Sequence, residues 1–362
     1  MSEYTLTFIS TAISVDVATE AGPAFAPVLR FFRHLITEGP GPSPDYRISV
    51  LEYDPDRDVP TEVWFTESSV IRQSTAQEFT FFAHRVERAG RVLYINHATM
   101  LDAPQNIESS REFVLRVTPG STVQVIDFVR DLIIRTEEAR GTVVLHACGV
   151  RRGDKVAAIG GAKGAGKTTT LLSMLLEGDG WHYFSGDKLF CLPRNGCITV
   201  YPWRDYPHVG VGTIRAHPAL ERWVAAEVDT NLAARTPEEK LLLQPDLLES
   251  WLGADFSPEP RTLSALVLPE LRSGGLSSHW NVRDQNAKWA LLNTIVERTS
   301  DTTFFTWQTY LVPDYFAVYS SLARMRPALS AVSVTRLRGV YTTEVDELLG
   351  TVMSAPRAGA TR

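Results

Sequence analysis

The sequence predicts an α/β fold, with a P-loop nucleotide-binding core preceded by an N-terminal α+β module. Three observations predict it. The first is residues 156–168, Val-Ala-Ala-Ile-Gly-Gly-Ala-Lys-Gly-Ala-Gly-Lys-Thr, an apolar run that breaks into glycines and ends in Lys-Thr. The second is what flanks that run: Val156–Ile159 reads as a buried strand and Thr168–Leu176 as a helix. The third is Thr122–Ala139, whose apolar residues Val123, Val125, Ile126, Phe128, Val129 and Leu132–Ile134 recur as on one face of a helix. That helix is expected to lead from a module over residues 1–135 into a core over 136–354, with a frayed tail at 355–362.

The glycine run meets the pattern G-x-x-x-x-G-K-[ST] at Gly161, Gly166, Lys167 and Thr168, with Gly160 and Gly164 as further glycines. Such a loop turns backbone N–H groups inward as an anion nest, its lysine reaches the β/γ-phosphates, and its threonine hydroxyl binds Mg²⁺. The expected nucleotide contacts are Gly161, Ala162, Lys163, Gly164, Ala165, Gly166, Lys167, Thr168 and Thr169. The N-terminus of the following helix would face the phosphates, where its dipole and free N–H groups favour negative charge. A chance glycine-rich turn is the alternative reading.

Before the loop, residues 4–14 read as a strand, Phe25–Leu35 as a helix, and Tyr46–Tyr53, Val63–Ile71, Glu78–Val86 and Arg91–Ile95 as strands. Prolines at 40, 42, 44, 55 and 60 mark loops. No Lys and no glycine-rich loop occurs in this module, so it is expected to shape an acceptor site or a homo-oligomer contact. Gly141–Val150 reads as a strand, joined by a turn at 151–154 to the strand that feeds the loop. After the loop's helix, Gly178 and Gly180 break the chain, and Trp181–Leu192 reads as two short strands around Gly186-Asp187. Residues 193–213 read as strands and loops, 216–228 and 237–252 as helical, and Leu263–Leu268 as a strand bounded by Pro269. Val282–Arg298 reads as a helix, Phe304–Trp307 and Ala331–Leu337 as strands, and Glu344–Met353 as a closing helix.

Net charge is −6, and no dense basic run occurs, which argues against nucleic acid as a partner. Only six of the 36 basic residues are Lys, and four of these fall between 155 and 188, as suits compact phosphate-binding charges. Cys148, Cys191 and Cys197 lack the spacing of a zinc site or a disulfide framework and suit a reducing cytoplasm. The first residues do not read as a signal peptide, and no run of about 18 apolar residues suggests a membrane span.

His146 lies fifteen residues ahead of Gly161, and Asp187 follows the next strand. In this order LHACGV, GGAKGAGKTTTLLSMLL, the Gly178/Gly180 break and YFSGDKLF resemble the HPr serine kinase/phosphorylase family over roughly 141–213. The resemblance implies a core like the HPr kinase C-terminal domain, with ATP or another nucleoside triphosphate and Mg²⁺ as ligands. Gly186-Asp187 stands where the family has a pair of aspartates, and Lys163 where it has a small polar residue.

Phosphoryl transfer needs positive charge on the transferring group and a carboxylate to take the acceptor's proton. Lys167, Thr168 and Mg²⁺ would supply the first, while Asp187 is a candidate general base or second Mg²⁺ anchor, or else a turn residue. His146 is a candidate for hydrogen bonding a phosphate or the acceptor, or else a satisfied core group. Arg204, His208 and Lys240 are candidate further phosphate or substrate contacts. Strand alternation would turn Lys188 away from the face of Asp187. The leading expectation is a kinase acting on a hydroxyl of a protein, peptide or small molecule. The alternatives are a nucleotide-binding regulatory or scaffold protein without transfer, and, more weakly, an NTPase coupled to motion.

Overall fold

The computed structural model describes residues 1–39, 41, 43–72, 80–106, 110–178, 180–205, 207–253, 256–271, 277–297 and 315–339. It is mixed α/β, with two large sheets. The chain divides into two compact units, Met1–Arg140 with Arg298–Ala317, and Gly141–Glu297 with Val318–Arg362. The expected strand Phe304–Trp307, helix Glu344–Met353 and tail 355–362 lie outside the described residues. Among the described residues no helix is long and apolar enough to cross a membrane.

The first unit contains β1 (Ser2–Phe8), β2 (Thr11–Val17), α1 (Gly22–Phe31), β3 (Ile36–Glu38), β4 (Tyr46–Glu52), α2 (Pro55–Asp58), β5 (Ser68–Arg72), β6 (Phe81–Arg88), β7 (Arg91–Ile95), β8 (Thr99–Pro104), β9 (Glu112–Val117) and α3 (Thr122–Ala139). Its sheet runs β3-β1-β2-β4-β9-β8-β7-β6-β5. The expected single strand at 4–14 is instead a hairpin, paired Phe8↔Thr11 through Ser2↔Val17. The reversal carries no Gly or Pro and is made by Ile9 at φ 53. The expected strand at Val63–Ile71 begins as a 3-10 turn, Thr61–Phe65.

This unit runs through Arg140, past the expected boundary at 135–136, and Glu137 gives the reason. Fully buried on α3, it accepts hydrogen bonds from Ser10 N at 2.9 Å, Ser10 Oγ at 3.0 Å and Thr11 Oγ1 at 2.6 Å, which ties the last turn of the helix to the first hairpin.

The second unit contains β10 (Val143–Arg152), β11 (Lys155–Gly160), α4 (Lys167–Glu177), β12 (His182–Ser185), β13 (Lys188–Arg194), β14 (Cys197–Pro202), β15 (His208–Gly210), α5 (Val211–Ala216), α6 (Pro218–Glu227), β16 (Lys240–Leu242), α7 (Pro245–Trp251), β17 (Arg261–Leu271), β18 (Ser278–Val282), α8 (Gln285–Asn293), most of α9 (Tyr315–Ala328), and β19 (Ser333–Gly339). Strand alternation sorts its core onto two faces. Leu145, Ala147, Val156, Ala158, Leu266 and Leu268 pack with Leu292 of α8 and Leu322 and Met325 of α9. Cys148, Val150, Ala157, Ile159, Ala265 and Val267 pack with Leu171 and Met174 of α4.

β17 closes the strand pairing into a circuit. It is parallel to β11 from Thr262 to Val267, antiparallel to β14 at Arg261 and Thr262, and parallel to β19 from Ala265 to Leu271. With β10 joining β11 to β13, and β13 joining β14, the circuit β11-β10-β13-β14-β17 is complete. The strand does not stop at Pro269 as expected: the ladder with β11 ends at Val267, but pairing with β19 continues through Pro269↔Leu337 to Leu271.

Two other expectations change. The helical periodicity at 237–252 holds only for α7, since Lys240–Leu242 pairs with His208–Gly210 as a two-stranded ribbon. The expected helix at Val282–Arg298 is α8 alone, capped by the Asp284 carboxylate accepting from Ala287 N, after which residues 295–297 run along β10.

Replacing Glu137 with Ala leaves three donors near Ser10 and Thr11 without their acceptor. Chemical denaturation of the Glu137→Ala protein is expected to show a loss of about 2–4 kcal/mol, with Glu137→Gln retaining most of the stability.

Candidate functional site

Both neighbours of β10 leave its ladder at the same place. On one edge β11 pairs from Arg152↔Lys155 up to Ala147↔Gly160 and stops. Residues 295–297 then take over that edge, with His146 N donating to Ile295 O at 2.7 Å and Glu297 N to Val144 O at 2.8 Å. A Cβ on Gly160 would lie 2.6 Å from Ile295 Cδ1 and 2.9 Å from its Cγ2, so any larger residue there would push the Ile295 side chain aside. On the other edge β12 pairs down to Gly149↔Ser185 and β13 resumes at His146↔Lys188, so that Gly186 and Asp187 bulge out between them. Bulges of this kind redirect a side chain away from the sheet.

From Gly160 the chain enters the glycine loop and reaches α4. Gly166, which precedes the helix, has φ 98, and a Cβ there would lie 2.7 Å from Leu271. Both the left-handed backbone and the close approach therefore require glycine. Ala165 N donates to Ala162 O at 3.1 Å, and Leu271 N to Ala165 O at 3.0 Å, fixing the loop to β17. Ala162, Lys163 and Gly164 are exposed, while Gly161, Ala165 and Gly166 are half-buried.

Lys167 opens α4, and its ammonium folds back to donate to Gly161 O at 2.9 Å and Ala162 O at 3.4 Å. Burial lowers its pKa below the ordinary lysine value, opposed by the negative charge of Asp187 and reinforced by the positive charge of Lys240. Thr168 is half-buried in the first turn, and Thr169 Oγ1 lies 2.9 Å from Thr213 Oγ1. Beneath that turn, the buried Cys148 thiol donates weakly to Ile159 O and Lys167 O, each at 3.6 Å. Burial pushes its pKa up to about 12, so it is a neutral packing group and not a nucleophile.

His146 and Asp187 come together, with Nδ1 and Oδ1 3.8 Å apart and each side chain just over 40 % exposed, at 43 % and 42 %. Lys188 departs from expectation. Its Nζ lies 3.8 Å from Asp187 Oδ2 and makes a short ion pair with Glu297 Oε2. The alternation argument failed because Asp187 sits in the bulge and not in the strand. Burial opposes the charge on Lys188, but Glu297 and Asp187 hold its pKa above the ordinary value. Glu297 was missed by sequence reasoning. It lies 109 residues from Lys188, and no local pattern marks it.

Arg204 is not a free phosphate contact. It is 6 % exposed, its Nε donates to Glu249 Oε1 at 2.9 Å and its Nη2 to Glu249 Oε2 at 3.0 Å, and it also pairs with Asp246, both acids lying on α7. A guanidinium so occupied locks the loop after β14 to α7. His208 and Lys240 lie on the ribbon, where His208 pairs with Leu242 and Lys240 with Gly210.

Among the described residues no group of three or more His, Cys, Asp or Glu could hold a metal ion. Thr168 and Asp187 offer hard oxygen donors of the kind Mg²⁺ takes one or two of, alongside phosphate oxygens and water. A scan against protein-family models found no match to this chain, and neither did a search of curated proteins.

If Arg204 is structural, its loss acts on folding. Arg204→Ala leaves the Glu249 carboxylate, 5 % exposed, without its cation. Thermal and urea unfolding are expected to show a loss of about 3–5 kcal/mol.

Proposed function

We propose that the second unit binds a nucleoside triphosphate, ATP or another, with Mg²⁺, and transfers the γ-phosphoryl group to a hydroxyl of a protein, peptide or small-molecule acceptor. The observation that carries this reading is the meeting of two distant segments. The glycine loop ends in Lys167 at the head of α4, whose carbonyl accepts from Cys148 of β10 at 3.6 Å, and Asp187 projects from a bulge 3.8 Å from His146, two residues away on the same strand. The loop's backbone, the free N–H groups of the first turn of α4 and the Lys167 ammonium would bind the β- and γ-phosphates. Thr168 and Asp187 would hold Mg²⁺, which when bound neutralises charge on the phosphate oxygens.

Asp187 also suits the proton transfer. The acceptor oxygen attacks phosphorus, its proton passes to the Asp187 carboxylate, the bond to the β-phosphate oxygen breaks, and the diphosphate leaves. His146, beside Asp187, would orient that carboxylate or hydrogen-bond the acceptor. The second reading, nucleotide binding without transfer, draws on Gly186, which leaves the bulge with a single carboxylate. The resemblance of residues 141–213 to the HPr kinase family supports the phosphotransferase reading over the second one.

Lys167→Ala is expected to weaken binding of Mg²⁺-ATP, measured by calorimetry, by about 100-fold or more. Unchanged affinity would remove the basis of this reading.

Asp187→Asn separates transfer from binding. If the carboxylate is the base, nucleotide affinity holds while ADP release falls by about 10²–10⁴-fold. If it only anchors the metal, the variant binds Mg²⁺-nucleotide weakly and higher Mg²⁺ partly restores turnover. No response in either assay would favour binding without transfer.

A further inference from the structure

The backbone of the bulge that carries Asp187 is fixed at both ends. Ser185, fully buried, has its Oγ 2.5 Å from Lys188 O and 2.9 Å from Trp203 O, and accepts from Trp203 N at 2.9 Å. The Asp187 carboxylate has one positive or ionisable group on each oxygen, His146 Nδ1 at 3.8 Å from Oδ1 and Lys188 Nζ at 3.8 Å from Oδ2. Both separations are longer than a hydrogen bond and short for an interaction between charges.

The two flanks differ in how firmly they are anchored. The His146 ring is 43 % exposed, whereas the Lys188 side chain is only 11 % exposed and its ammonium makes a short ion pair with Glu297 Oε2. Glu297 is itself tied to the strand beneath: its N donates to Val144 O at 2.8 Å, and its neighbour Val296 bridges to Leu145. Pinning a lysine stem costs rotamer freedom, and a buried ion pair gains little over apolar residues of the same size. Stability therefore does not account for the arrangement. Its place does, since a fixed cation stands on the carboxylate oxygen that His146 does not face. A carboxylate beside a polyphosphate is repelled by it, and Asp187 would tend to turn into solvent, to which its side chain is already 42 % exposed. Attraction to Lys188 opposes that turn.

We propose that Lys188, pinned by Glu297, is a positioning residue that holds the Asp187 carboxylate in the site against the charge of the bound nucleotide, so that its oxygen stays within reach of the acceptor's proton. This rests on the phosphotransferase reading above. It adds to that reading a pair of residues that act on the reaction only through Asp187.

ADP release from Mg²⁺-ATP by the full chain tests it, with water taking the place of the acceptor hydroxyl. The decisive variant is Lys188→Met with Glu297→Leu, an apolar pair that folding tolerates where a single substitution would strand a buried charge. Its melting temperature is expected to match or exceed that of the wild type, and KM for Mg²⁺-ATP to change less than about threefold, while kcat falls about tenfold or more. Placed in Asp187→Asn, the same double change should lower kcat less than about twofold further, because its effect runs through that carboxylate. Lys188→Arg with Glu297 intact should keep most of the wild-type kcat. If the double variant does not fold, Glu297→Gln decides, since it leaves the ammonium an acceptor but removes the charge that pins it; kcat is then expected to fall severalfold. Wild-type kcat in the folded double variant, or in Glu297→Gln, would reduce the pair to a structural one and overturn the proposal. A loss confined to KM, or an equal loss with and without the Asp187 carboxylate, would also overturn it. Those outcomes leave the phosphotransferase reading standing, because the wild type turns over in each. A wild type that binds Mg²⁺-ATP and releases no ADP would bring down both, in favour of binding without transfer.

Discussion

The second unit depends on a single constraint, the point near Ala147 where β10 loses both its neighbours. A strand in the middle of a sheet normally keeps a ladder on each edge, since an unpaired buried N–H or C=O costs free energy. Here β11 departs after Gly160 and the β12–β13 strand bulges at Gly186-Asp187. The cost on the first edge is met by residues 295–297, which bond to Val144 and His146. One edge thus releases a loop toward α4 and the other releases a carboxylate. His146, the residue at the break, stands beside that carboxylate. A regular ladder through this region would have kept Asp187 within the strand pattern and left the glycine loop nowhere to leave the sheet.

How much of this was legible in the sequence follows from the range of each signal. The helix Thr122–Ala139 and the strand Arg91–Ile95 have the limits read from their periodicity. The two strands around Gly186-Asp187 were also legible, because glycine marks the break locally. The first hairpin was not, because its reversal at Ile9 and Ser10 uses neither Gly nor Pro and the apolar pattern runs on through it. Lys240 was read as helical because β16 is only three residues long and abuts α7, whose period dominates the window. Glu297 and the true partners of Arg204 were illegible for a different reason: contacts across 109 and 45 residues leave no mark on local spacing.

The ion pair of Lys188 and Glu297 is a choice that folding alone does not explain. Side-chain exposures of 11 % and 22 % mean that both charges give up much of their hydration. Such pairs gain little over apolar residues of the same size, while losing one partner is costly. Its geometric effect is clearer than its energetic one. Glu297 belongs to the segment that replaces β11 beside β10, and Lys188 opens the strand that follows the bulge, so the pair joins the two edges across the strand that lost its neighbours. The ammonium is thereby held 3.8 Å from Asp187.

Room at the bulge then decides how many acids it can carry. A Cβ on Gly186 would lie 2.8 Å from the hydroxyl of Tyr183, whose ring is buried and 5 % exposed. Tyr183 is a core residue that packs with Trp181, Leu171 and Met174, so its hydroxyl cannot easily withdraw. A second carboxylate at position 186 would have to displace it. Asp187 is accordingly the one acid of the bulge, with Lys188 at 3.8 Å, His146 at 3.8 Å and the charge of Lys167 within electrostatic reach. Lys167 and Lys188 offset the carboxylates of Asp187 and Glu297, so a second acid at position 186 would tip the local charge to the negative side.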